Sequence, residues 1–324
     1  MDKSGAERII QIIRGAGILP AIVFKSCSWI EPLGKIFKQT GFGVIEVLFR
    51  NDGAVEAVKG IKEKYPELVV GAGTVLTCDQ ADAAFEAGAD FLISPGFSNA
   101  LVRYCLEKNR LIIPGCGTAS EIQNAYETGL RVLKFFPSER LGGASAIKDY
   151  AAPFKEVEFI PTGGIQIDNM DGYMKSDRVL AVGGSFMAPY GLLESEKYDE
   201  VVALYEKAAA AAVGFRVDNV GICCRSEEET ADEVKRLSKL FGSFTAEKKI
   251  SVCCGANVKY HYIGGYEEKS YISVRTYSID RAITYLKARG VEFHCENEIY
   301  DAEGNRVCIR LKEEIDGYAV YIIK

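Results

Sequence analysis

From residue 17 to about 186 the chain alternates short apolar runs with segments whose apolar residues recur at helical spacing. The runs fall at 17–24, 43–49, 69–75, 91–96, 111–117, 131–137, 159–164 and 178–186. Strands buried on both faces read as continuous apolar stretches of this kind, bounded by turn residues. Between them, segments such as 54–65, 78–87, 99–108 and 120–128 carry helical periodicity, with Gly or Pro beyond many of their ends. Eight repeated βα units predict a closed (β/α)8 TIM barrel in an α/β fold. An open dinucleotide-binding sheet would place a glycine-rich fingerprint after the first strand, where Phe24-Lys25-Ser26-Cys27 stands instead.

A covering helix is expected over 197–213, and the pattern changes near Gly214. The expected domains are therefore 1–214 and 215–324. The second reads as a strand (215–224), a helix (227–241), three strands (244–255, 259–264, 270–275), a second helix (279–289) and further strands ending at Ile323. Helix and strands recur twice, giving a smaller α+β domain of ordinary size.

The 324 residues are 48% hydrophobic and carry 45 acidic against 39 basic side chains, a formal charge of −6. That balance disfavours a nucleic-acid footprint, which needs phosphate neutralisation. Neither a secretory signal nor an apolar stretch long enough to span a bilayer is apparent, so the expectation is a cytoplasmic protein with no membrane partner. Ten cysteines in a long, unsignalled chain are expected to be reduced. The adjacent pairs Cys223-Cys224 and Cys253-Cys254 lie in strand-like runs, where neighbours point to opposite faces and do not chelate one ion together.

Candidate chemistry starts at Lys134, an amine within the apolar run Arg131-Val-Leu-Lys-Phe-Phe-Pro137. Desolvation of an ammonium favours the neutral amine, and a neutral amine attacks a ketone to form a Schiff base. A lysine that snorkels to water is the competing account. Strand parity favours chemistry: Val44, Glu46, Leu48 and Arg50 share one face of the second strand, and Val132, Lys134 and Phe136 share one face of the sixth. In a barrel those faces turn inward, so a carboxylate, a guanidinium and an amine converge on one cavity. A structural ion pair would gain little, because desolvation offsets much of its attraction. Lys134 is assigned imine formation, Glu46 proton transfer and Arg50 a bidentate hold on a substrate carboxylate. Glycine pairs at 163–164 and 183–184 stand after the seventh and in the eighth strand, the usual phosphate end of this fold.

Ile45-Glu-Val-Leu-Phe-Arg50, Gly71-Ala-Gly-Thr-Val-Leu76, Ile93-Ser-Pro-Gly96, Ile113-Pro-Gly115, Lys134-Phe-Phe-Pro137 and Pro161-Thr-Gly-Gly164, taken in this order, resemble the 2-keto-3-deoxy-6-phosphogluconate aldolase family over roughly residues 7–212. The resemblance implies a metal-independent class I aldolase without cofactor, a homotrimer that also cleaves 4-hydroxy-2-oxoglutarate. It makes Lys134 the Schiff-base lysine, Glu46 the acid/base and Arg50 the carboxylate-binding residue. Thr74, Pro95, Phe136 and Thr162 match residues lining a pyruvate pocket, and Gly163, Gly164, Gly184 and Ser185 match the phosphate end. Leu48-Phe49 and Cys116-Gly117-Thr118 depart from the familiar pattern, which bears on substrate preference. An aldolase for the galactonate epimer or chiefly for hydroxyoxoglutarate, and a non-catalytic keto-acid sensor, are the alternatives.

The tail resembles a module of the vicinal oxygen chelate (glyoxalase-like) superfamily through Ser270-Tyr-Ile-Ser-Val-Arg275, the helix 281–290 and Gly317-Tyr-Ala-Val-Tyr321. The metal-ligand places of that family hold Asn219, Tyr271 and Tyr321, and the chain's two histidines, His261 and His294, lie elsewhere. The expectation is a non-catalytic binding, regulatory or assembly module without metal.

Overall fold

The computed structural model describes residues 3–41, 43–241, 245–248, 251–254, 257–262 and 269–324. The chain divides into two compact units, Met1–Val213 and Gly214–Lys324.

In the first unit the apolar runs form β1 (Ile18–Ile22), β2 (Val44–Leu48), β3 (Val69–Gly73), β4 (Phe91–Ile93), β5 (Ile112–Ile113), β6 (Gly115–Cys116), β7 (Val132–Phe135), β8 (Glu158–Pro161) and β9 (Val182–Gly184). All pair in parallel, in the orders β5-β4-β3-β2-β1-β9 and β6-β7-β8. Bridges Phe159↔Val179 and Thr162↔Gly183 carry pairing from the run of β8 to that of β9. The result is a curled parallel sheet flanked by helices.

The apolar run 111–117 is two strands rather than one, because Pro114 has no N–H for the ladder. Its carbonyl accepts from Lys134 N at 2.9 Å, while Gly115 N donates to Ser94 O at 2.9 Å. The chain thereby serves a neighbour on each side across the break.

Three of the βα turns are built alike. Thr77, Ser98 and Thr118 each cap the next helix, their hydroxyls accepting from Gln80 N, Leu101 N and Glu121 N. Such caps satisfy one of the unpaired N–H groups that begin every helix. Each helix therefore starts soon after its strand ends, which leaves the strand ends short and their side chains fixed.

Among the described residues the second unit forms one sheet of eight strands. These are β10 (Arg216–Cys224), β11 (Thr245–Lys248), β12 (Ser251–Cys254), β13 (Val258–Tyr262), β14 (Tyr271–Arg275), β15 (Phe293–Tyr300), β16 (Arg306–Ile315) and β17 (Tyr318–Ile323), in the order β11-β12-β13-β10-β14-β17-β16-β15. The single strand expected over 244–255 is instead the antiparallel pair β11 and β12; residues 244, 249, 250 and 255 lie outside the described residues, as do 263 and 264 of the next expected strand.

Two halves share one plan of strand, helix and three strands. In each the first strand pairs in parallel with the last, β10 with β13 and β14 with β17. The halves join along the antiparallel pair β10 and β14. Helix Glu227–Phe241 packs Val234 and Leu237 against Cys224 and Tyr260, and helix Ile279–Lys287 is capped by Ser278.

Candidate active site

Lys134 on β7 and Glu46 on β2 meet inside the curled sheet, Nζ to Oε1 at 3.2 Å. Both are buried, Glu46 completely and Lys134 to 6% exposure. Register places Glu46 beside Gly71 and Leu48 beside Gly73. The glycines make room: a Cβ at Gly73 would lie 2.1 Å from Glu46 Oε1 and 2.6 Å from its Cγ. The carboxylate thus occupies the space that a side chain at 73 would fill. Its second oxygen, Oε2, has no hydrogen-bond partner. A buried polar atom left unpaired is costly and is a site to which a substrate or water can bring a donor.

A cavity of about 320 Å3 opens beside this pair. Lys134 and Phe136 border it, together with Arg50, Thr162, Gly163, Gly164, Gly184 and Ser185. Lys134 Nζ lies 5.5 Å from the Phe136 ring centre. Arg50 is exposed at the mouth, its Nε donating to Thr74 Oγ1 at 3.3 Å. Thr74 takes a φ of +60°. That left-handed conformation is unfavourable for a β-branched residue, and such strain collects where a side chain must be held at one angle.

Gly163 and Gly164 turn with φ of +96° and +82°, a conformation that glycine takes without steric cost. The loop is held from behind, where Ser138 N donates to Thr162 O and Glu139 N to Gly163 O. Glu139 in turn accepts from the Tyr173 hydroxyl, which also contacts Ser138 Oγ at 2.9 Å. Burial foremost, then Glu139, pushes the Tyr173 phenol well above its ordinary value, so it remains a neutral donor.

Of the residues expected at the site, Glu46, Thr74 and Pro95 do not border the cavity. Glu46 stands behind Lys134, and Thr74 acts on Arg50. The Pro95 carbonyl lies where a Cβ on Gly115 would fall, 2.2 Å away. Gln166, Phe186 and Tyr190 border the cavity without having been singled out from the sequence. Their places at the end of the eighth apolar run or just after the seventh and eighth were the available signal. Tyr190 packs edge-on to Trp29 at 5.9 Å beneath the Lys25 ammonium.

Residues 9–204 match the family of KDPG and KHG aldolases. The chain belongs to that family. The KHG/KDPG aldolase of Escherichia coli K12 is 39% identical over 210 residues, covering 65% of this chain and 97% of the relative. Solved structures of the KDPG aldolases of Zymomonas mobilis, with 3-phosphoglycerate, and of Legionella pneumophila, with pyruvate as a covalent carbinolamine, are 35% and 30% identical. They cover 62% and 61% of this chain and 95% and 96% of their own, with TM-scores of 0.58 and 0.59. In this aldolase-family unit the curled sheet with flanking helices is the TIM-barrel-like fold.

Among the described residues no three His, Cys, Asp or Glu side chains cluster as a metal site, and no helix is long and apolar enough to cross a membrane. His261 Nε2 lies 3.2 Å from Lys269 O, and His294 pairs with Glu296.

Proposed function

We propose that the chain is a class I aldolase that cleaves 2-keto-3-deoxy-6-phosphogluconate to pyruvate and glyceraldehyde 3-phosphate, and 4-hydroxy-2-oxoglutarate to pyruvate and glyoxylate, from a closed (β/α)8 barrel. The observation that carries this reading is the buried Lys134 and Glu46 pair at 3.2 Å beside the cavity. Family membership supports it.

In this mechanism the neutral Lys134 amine attacks C2 of the keto acid, and loss of water gives an iminium that draws electrons from C3. Arg50 holds the substrate carboxylate at the mouth. Glu46, through its unpartnered Oε2 or a water on it, removes the C4 hydroxyl proton, and the C3–C4 bond breaks. The aldehyde leaves, Glu46 returns a proton to the enamine at C3, and water frees pyruvate from Lys134. Thr162 and Phe136 fix the pyruvyl part, with Thr74 and Pro95 supporting the wall. Gly163, Gly164, Gly184 and Ser185 receive the phosphate through backbone N–H groups.

The same reading makes the protein a cytoplasmic homotrimer working without metal or cofactor. Its tail, residues 215–324, is read as a glyoxalase-like module that carries no catalytic step.

The test is reduction with borohydride in the presence of pyruvate, followed by peptide mass spectrometry. A reduced pyruvyl group on Lys134 is expected, and Lys134→Ala abolishes both adduct and cleavage. A folded wild-type chain that forms no adduct overturns the imine mechanism.

A further inference from the structure

The second unit holds a cavity of about 410 Å3 on one face of its central strands. Strand pairing sets the side chains of that face in rows. Asn219 lies opposite Ser273 and Ser273 opposite Tyr321; in the next row Lys259 lies opposite Gly221 and Gly221 opposite Tyr271. Alternate residues of a strand share a face, so both rows look into the same concavity. Gly221 is required there, because a Cβ would fall 2.1 Å from the Tyr271 ring. The Tyr271 and Tyr321 rings meet edge to face at 5.7 Å.

Two polar groups on this wall are unmet. Asn219 is 2% exposed, and its Oδ1 has no hydrogen-bond partner. The amide orientation is fixed from behind, where Nδ2 donates to Asp218 Oδ2 at 2.7 Å. Burial pushes the Asp218 carboxyl up, but hydrogen bonds from Asn219 and Arg275 outweigh it and hold the group below its ordinary value. Asp218 is therefore an anion that only accepts, which directs the amide NH2 to it and leaves the amide oxygen for the cavity. Lys259 is the second group, a half-buried cation on the cavity wall that acts on the Asp218 carboxylate through space but makes no hydrogen bond or ion pair among the described residues. The carboxylates on the same wall are engaged already, Glu298 by Arg306 and Glu296 by His294.

A half-buried cation with no directly bonded counter-ion among the described residues calls for an anion, and a buried unpaired acceptor calls for a donor. The two tyrosines with Ile299, Val307 and Ile323 call for a carbon skeleton between them. An inorganic anion leaves that apolar wall unmet, and a simple keto acid leaves Asn219 unmet. We propose that this cavity binds a small hydroxycarboxylic acid. Its carboxylate lies on Lys259, its hydroxyl donates to Asn219 Oδ1, and its carbon chain lies against Tyr271 and Tyr321. The site is independent of the chemistry at Lys134.

The test is calorimetric titration of the full chain with D-glycerate and D-gluconate, with pyruvate and L-alanine as comparisons. One molar equivalent of a hydroxy acid is expected to bind both the wild-type chain and Lys134→Ala, which removes the barrel amine. Lys259→Met is expected to weaken that binding at least tenfold, as are Asn219→Leu and Asn219→Asp. Circular dichroism and melting confirm folding, and if the buried Asn219 variants do not fold, Lys259→Met decides alone. Undiminished binding to folded Lys259→Met, or its loss in Lys134→Ala, overturns the assignment. So does the absence of saturable binding of either hydroxy acid at millimolar concentration. Tighter binding of L-alanine than of both hydroxy acids overturns the hydroxyl assignment in favour of an ammonium donor.

Discussion

Gly73→Ala is a one-methyl test of how closely Glu46, the acid/base of the proposed mechanism, is placed. Gly73 lies within β3 in an ordinary extended conformation, so alanine there meets no backbone penalty. The new Cβ would stand 2.1 Å from Glu46 Oε1, where an ordinary contact begins at about 3.4 Å. The carboxylate must withdraw by about 1.3 Å, and because Glu46 is fully buried it has no solvent to swing into. Misplacing a reacting group by ~1 Å costs on the order of 10²-fold in rate, or about 2.7 kcal/mol of barrier. Overpacking a dense interior costs about 1–3 kcal/mol of stability. The expected outcome is a folded protein of lower melting temperature whose kcat for aldol cleavage falls roughly 10²-fold. Pyruvate release can be followed through a coupled dehydrogenase, with melting measured on the same samples. Borohydride trapping of pyruvate on Lys134 should persist, since the lysine keeps its place on β7 and only the Glu46 carboxylate is displaced. A Gly73→Ala protein with kcat within about threefold of wild type would refute the placement argument, because a displaced carboxylate would then serve equally well.

Thr74→Gly relieves a left-handed threonine and removes the hydroxyl that holds Arg50; stability should rise by about 1 kcal/mol, while KM for keto-acid substrates rises several-fold, as steady-state kinetics and melting would show. Asp82 is held well below the usual carboxylate range, first by the Tyr104 hydroxyl and then by Arg110 and Lys108. Its contribution is therefore present above the unfolded value near pH 4 and lost as pH falls through the lower folded value. Urea titrations from pH 5 downward should show a shallower acid loss for Asp82→Asn than for wild type. Burial first, with Glu121 adding, pushes the Cys116 thiol up to about 12, so iodoacetamide at pH 8 on native protein should label exposed Cys27 and spare Cys116. Peptide mapping reads both.

Much of the first unit was legible because its signals are local. A continuous apolar run followed by Ser or Thr and an amphipathic segment specifies strand, cap and helix together, and alternation along a strand suffices to bring Glu46 and Lys134 to one side. The break at Pro114 escaped the reading of 111–117 as one strand, although the missing N–H is a property of one residue. Other features depend on distances between strands that no local pattern encodes. Nothing in the Gly71-x-Gly73 spacing says that Glu46 lies over Gly73, or that Thr74 reaches Arg50 rather than the cavity. Gln166, Phe186 and Tyr190 border the cavity through loop geometry, which varies more freely than strand register. In the tail, Asn219, Tyr271 and Tyr321 could be singled out in the sequence. The orphaned Asn219 oxygen could not, because it emerges only when Asp218 claims the amide nitrogen.

The two-fold plan of the second unit has a consequence for how it can change. Each half supplies the same order of elements, yet their contributions to the shared concavity differ: Asn219, Gly221 and Lys259 from the first, Tyr271, Ser273 and Tyr321 from the second. A dimer of identical halves would be bound to present every side chain twice. Within one chain each half can vary on its own, so that the first half brings an amide and an amine to the hollow while the second brings the two tyrosine rings. Selectivity in such a hollow evolves by single substitutions, without a mirrored partner change to accommodate.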